Sequence, residues 1–202
     1  NVWVGTIGQD DARPITSDTL RGIRIYFWTT DSKHVMYLQD KGGDENWRLY
    51  SVTLETGAIS DLTPYENVQV QVVNRDKNFP NELLIAMNKE NVQVHDVYHL
   101  NLLTGELKLV AKNPGNVAGW IADADFKVRG CQMMNADAGF DLMVRKTEKD
   151  QWQKLISWKA ITIWAVYGPE AWYFLFFRPM LLTIRISSGR SFTALAERWL
   201  KG

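Results

Sequence analysis

A phrase recurs along this chain at an interval that few folds can accommodate: a strand with an apolar and aromatic step, a Thr-Gly turn, then a second short strand. It runs first from Trp47 to Ile59, turning at Thr56-Gly57, and again from Val97 to Leu107, turning at Thr104-Gly105. Val2, Leu49, Val97 and Leu142 are separated by 47, 48 and 45 residues. A period of that length, filled by strands, is the mark of a β-propeller. Side chains at Leu49, Ser51 and Thr53 alternate with those at Tyr50, Val52 and Leu54, which predicts a strand with one better buried side. Glycine after Thr supplies the positive φ that a short hairpin needs.

Extending each phrase outward gives four strands per unit. The first unit reads as Ile23 to Trp28, Val35 to Gln39 and the hairpin that follows, ending before Pro64. The second takes Val68 to Val73, Glu82 to Met87 and the hairpin closing near Ala111. A third runs from Val117 through Val128 to Met134, then Leu142 to Arg145 and Trp152 to Ile156. Val2 to Ile7 reads as the third strand of a blade whose first half would precede Asn1. The fold class predicted is therefore all-β, a partial propeller of four-stranded antiparallel blades, with about three complete blades and further partial or divergent ones.

The domain expectation is a propeller segment over 1–158 and a different chemistry over 159–202. In the latter, Lys159, Arg178, Arg185, Arg190, Arg198 and Lys201 stand against only Glu170 and Glu197, beside the apolar runs Ile161 to Tyr167 and Ala171 to Phe177. A divergent fourth blade and an aberrant, frame-shifted tail both fit that composition. Pro169, Glu170, Arg178 and Pro179 interrupt every stretch that approaches the ~20 apolar residues of a membrane span. With 23 basic and 23 acidic residues the net charge is zero, so no global field favours nucleic acid or an anionic membrane. The single Cys131, read as a half-buried strand thiol, fits a reducing, cytoplasmic setting.

Three stretches carry a family resemblance: Gly22 to Trp28, Val35 to Tyr50 with its Asp40-Lys41-Gly42-Gly43-Asp44-Glu45-Asn46-Trp47 run, and Asp61-Leu62-Thr63-Pro64-Tyr65. His95 to Leu102 and Asn113-Pro114-Gly115 continue it. Together they resemble the TolB-like propeller domain of the prolyl oligopeptidase family of serine peptidases, especially bacterial acylaminoacyl and dipeptidyl peptidases. That resemblance implies a propeller that covers an α/β-hydrolase domain of the parent chain and filters peptide substrates by size. A free-standing propeller that binds a protein partner is the alternative.

No catalytic site is predicted within this chain. A nucleophile elbow needs Gly-x-Ser-x-Gly, which does not occur. Ser187-Ser188-Gly189-Arg190-Ser191 comes nearest, yet it lacks the first glycine, and His34, His95 and His99 all precede it. Neither cofactor nor metal is predicted, and substrate-binding residues are not assigned. Asp40, Gly42 and Asp44 suggest a calcium loop only superficially, since Ser51 stands where a bidentate Glu is required. Asp44 and Glu45 read as an exposed acidic turn, with pairing to a peptide amine or a neighbouring blade as the other role. His95 and His99 read as strand histidines without a third ligand. Trp28, Trp47, Trp120 and Trp152 read as packing between blades rather than a sugar site. An open arc of blades would expose apolar faces and invite self-association.

Overall fold

The computed structural model describes residues 1–159, and all the regular structure in them is β. A short hairpin, β1 (Trp3–Val4) and β2 (Arg13–Pro14), comes first. Next is a sheet of β3 (Ile25–Trp28), β4 (His34–Gln39), β5 (Arg48–Thr53) and β6 (Ile59–Asp61). A second contains β7 (Val70–Asn74), β8 (Glu82–Met87), β9 (Asp96–Asn101) and β10 (Leu107–Ala111). The third has β11 (Val117–Ala122), β12 (Val128–Met134), β13 (Phe140–Val144) and β14 (Gln153–Trp158). Each of these three sheets is a four-stranded antiparallel meander in sequence order. The predicted propeller blades are thus present, while the strand expected over Val2 to Ile7 is only the short β1. The fourth blade considered beyond Ala160 lies outside the described residues.

The described residues divide into two compact units, Asn1–Asn113 and a second that begins at Pro114. Within the first, the two sheets stack through a core of Met36, Leu38 and Leu49 against Val70, Leu83, Ile85, Met87, Tyr98 and Leu100. Val35, Tyr37 and Val52, on the opposite face of the same strands, pack with Val2 and Ile15 from the first hairpin. Middle strands are therefore covered on both sides, which is why β8 reads Glu-Leu-Leu-Ile-Ala-Met rather than alternating. The expectation of one better buried side is corrected here: Leu49 and Val52, on opposite faces of β5, are both fully buried.

The repeated turns are alike in detail. Gly57 and Gly105 share a φ of 72°. The Gly57 N–H donates to Thr53 O and the Gly105 N–H to Asn101 O, each at 2.8 Å. Thr56 Oγ1 and Thr104 Oγ1 then accept the N–H groups of Ala58 and Glu106, both at 3.2 Å. A hydroxyl two residues back fixes each turn, and glycine takes the left-handed step.

In the second unit, Val128 and Cys131 are fully buried on β12. Asp141 gathers the neighbouring strand: its carboxylate accepts from Lys154 Nζ and Ser157 Oγ at 2.5 and 2.6 Å and from Asn135 Nδ2 at 3.1 Å.

Candidate functional site

The stretch Asp40 to Tyr50 forms a loop that is fixed almost entirely by its own residues. Asp40 is nearly buried and pairs with Arg21, Nη1 to Oδ2, at 3.2 Å. The same oxygen accepts the Glu45 N–H at 3.3 Å. Gly43 lies at φ 92°, a conformation that glycine takes without strain, and a Cβ there would crowd the Arg21 guanidinium at 3.3 Å. Asp44 accepts the N–H groups of Lys41 and Asn46, both at 3.1 Å, and Asn46 Nδ2 at 3.2 Å. Desolvation works to raise the Asp44 carboxyl, but donation from Asn46 and Lys41 outweighs it and leaves the pKa below the ordinary range. Asp40 is thus engaged by Arg21 and by the loop, and Asp44 by the loop itself. Glu45 is exposed at φ 59° and offers its backbone carbonyl to Gln69 Nε2 at 3.3 Å.

Beyond this loop the chain enters the sheet at Trp47, and the first two sheets are joined there. The Trp47 carbonyl accepts the Val70 N–H at 2.7 Å, and the Trp47 ring packs on the shared core. Arg48 pairs with Asp61 at 3.0 Å, while Tyr50 stacks on Tyr37 with ring centroids 5.3 Å apart. Burial drives the Tyr37 hydroxyl to a pKa of about 12, so it stays neutral.

Above that junction, β3 and β7 border an open cleft of about 680 Å³. Ile25, Phe27, Val70 and Val72 supply apolar walls, with Trp47 at one end and Arg24, Gln71 and Arg75 among the polar groups. The Arg75 guanidinium lies 4.6 Å from the centroid of the Phe27 ring. A smaller cleft of about 190 Å³ also includes Phe27 and Arg75, together with Trp28, Lys77, Phe79 and Glu82. The Phe27–Arg75 pair therefore borders both. Sequence inspection missed this cleft because its walls come from segments 48 residues apart, Phe27 and Arg75. The signal was nevertheless available: that separation is the repeat period, and equivalent positions of successive blades become neighbours.

The other predicted positions are scattered. His99 Nε2 lies 2.7 Å from Glu82 Oε2, whereas His95 precedes β9 and is half-buried, with burial pulling its pKa down. Among the described residues no three His, Cys, Asp or Glu side chains gather in a way that could hold a metal ion. Cys131 is fully rather than half buried, and desolvation raises its thiol to about 12, so it is not a reactive thiolate. Of the tryptophans, Trp47 packs between blades, but Trp28 is 50% exposed. Trp120 and Trp152 pair with each other at 6.2 Å, and Arg145 lies over Trp152 at 4.3 Å. Ser187, Ser188 and Ser191 lie outside the described residues.

Repeated four-stranded meanders and a cleft at their first strands define a β-propeller segment. Its fold is that of solved TolB structures: TolB from Acinetobacter baumannii aligns over 77% of this chain and 37% of that one, with a TM-score of 0.50 and 13% identity. A TolB homologue from Agrobacterium tumefaciens covers 72% of this chain and 52% of its own, again at 0.50, with 12% identity. In sequence the chain is 39% identical over 155 residues to dipeptidyl aminopeptidase BIII of Pseudoxanthomonas mexicana, which covers 76% of this chain. It is 36% identical over 119 residues to dipeptidyl peptidase family member 6 of Caenorhabditis elegans, covering 56% of this chain. No family model matches. As a propeller segment, the chain is similar in sequence to one part of dipeptidyl peptidase-like proteins. It spans 22% of the bacterial relative and 16% of the nematode one.

Proposed function

We propose that this chain is the noncatalytic propeller portion of a serine-type peptidase and that it governs the access of peptides to an α/β-hydrolase domain of the parent protein. The observation that carries this reading is the 39% identity to a dipeptidyl aminopeptidase of which the chain matches only 22%. Two further facts support it. The sequence holds no Gly-x-Ser-x-Gly, and no histidine follows Ser187 to complete a triad in hydrolase order. The β3–β7 cleft offers apolar walls with a few polar groups, the composition that binds small ligands and peptides. The lone, buried Cys131 suits a reducing compartment such as the cytoplasm.

The test has two parts. A fluorophosphonate serine probe should label the parent protein and leave this chain unlabelled; stoichiometric labelling at Ser187, Ser188 or Ser191 would overturn the noncatalytic role. Gating is read from size selectivity. The hydrolase domain freed of residues 1–158 should cleave long or folded polypeptides that the intact parent excludes, and unchanged selectivity would sink the gating role.

A further inference from the structure

We infer that the cleft between β3 and β7 is a receptor for the C-terminal carboxylate of a short peptide, with Arg75 and Arg24 as its anion-binding groups. This inference rests on the peptide-handling role proposed above and names the end of the peptide that the cleft takes. Asn1–Asn113 contains five arginines. Arg21 and Arg48 are paired with Asp40 and Asp61, and Arg13 donates to the Leu54 carbonyl at 2.7 Å. Arg24 and Arg75 have neither a carboxylate nor a carbonyl partner among the described residues; both line this cleft, and Arg75 also borders the smaller one. Among the described residues, no Asp or Glu lines it. Asp76, next in sequence, borders the smaller cleft, and its Oδ1 accepts the Asn78 N–H at 2.8 Å.

The Arg75 guanidinium lies over the Phe27 ring at 4.6 Å, a contact that restrains it beside the cleft and uses none of its N–H donors on another polar group. A planar fork of that kind matches a carboxylate bidentately. The walls beside it are apolar and suit the last one or two side chains of the peptide. A volume of about 680 Å³ falls in the range of small-ligand sites and would hold a few residues rather than a folded domain. The cleft is also held in shape: the Trp47 carbonyl accepts from Val70 N–H, and the neighbouring Gln69 N–H donates to Asn88 Oδ1, both at 2.7 Å. Among the described residues neither arginine is held in an ion pair that an arriving carboxylate would have to displace.

The experiment titrates the 202-residue chain with acetyl-Ala-Phe-Leu-Ala as the free acid, as the C-terminal amide, and with acetyl-Glu-Phe-Leu-Ala amide. Calorimetry reports binding. The free acid should bind about tenfold more tightly than either amide, as expected for one charge-assisted contact. Arg75→Gln should abolish that preference, Arg24→Gln should reduce it, and Arg75→Lys should retain only part. Both arginines are exposed, so circular dichroism of these variants should match the parent chain. Equal affinity for acid and amide, a preference that survives both Gln substitutions, or no saturable binding of the acid would overturn the assignment. Equally tight binding of the glutamyl amide would overturn the choice of the C-terminus. Acid-selective binding by a chain whose parent resists the serine probe would leave this site standing while the peptidase reading falls; the reverse pair of results separates them the other way.

Discussion

Thr63 shows how one hydroxyl can hold two parts of a blade. It is fully buried beyond β6; its Oγ1 accepts the Leu49 N–H at 2.9 Å, and its own N–H donates to Asp61 Oδ1 at 3.0 Å. Thr63→Val preserves the shape but leaves a buried N–H without an acceptor, which costs about 1–3 kcal/mol. Urea denaturation should register that loss, whereas Thr63→Ser should recover most of it; equal stability of the Val variant would show that the bond contributes nothing. Asp141 makes a different prediction, one that depends on pH. Hydrogen bonds from Lys154, Ser157 and Asn135, in that order of weight, hold its carboxyl down at about 2, below the ordinary 3.8. A depressed folded pKa stabilises above the unfolded value and is lost as pH falls through the folded one. Hydrogen-exchange protection of β13 and β14 should therefore exceed that of Asp141→Asn above pH 4, with the gap closing toward pH 2. A gap that stays constant with pH would show that packing, not charge, is responsible.

At the scale of strands, position within the blade decides what a substitution does. Ile85 on β8 is wholly buried in the shared core, and Ile59 on β6 is 48% exposed. Ile85→Ala should destabilise the chain by about 2–5 kcal/mol and Ile59→Ala by far less. Comparable losses would contradict the burial order from middle to outer strands. Much of this was legible in the sequence, because the requirements are local. A Thr-Gly pair with apolar neighbours dictates its hairpin wherever it stands, and the run Glu82 to Met87 reads as a strand, although its burial on both faces emerges only from the structure. What escaped were features made by distant segments. The hairpin of Trp3–Val4 and Arg13–Pro14 has too few residues to display a period, and Arg75 becomes a neighbour of Phe27 only after two blades have stacked. Trp28 misled for the same reason: it occupies a blade-like position, yet nothing in its own segment reveals that its ring would remain half exposed.

For the whole molecule, the unequal covering of the first blade has a measurable consequence. One face of its strands meets a complete four-stranded sheet, while the other meets two-residue strands and a core of five buried residues. Trp3 is 61% exposed, and Trp28, which pairs with Val35 of the thinly covered face, is 50% exposed. Large apolar rings left in water favour contact with another apolar surface, and a second copy always presents the same one. The chain is therefore expected to associate as its concentration rises, and Trp3→Gln combined with Trp28→Gln should shift it toward the monomer with little change in thermal midpoint. Sedimentation velocity over a concentration series decides the matter. A monomer throughout would mean that the hairpin covers the blade well enough. Association unaffected by both substitutions would place the contact on another surface, and the arginine cleft could then be tested for blockage by adding the free-acid peptide and watching the same boundary.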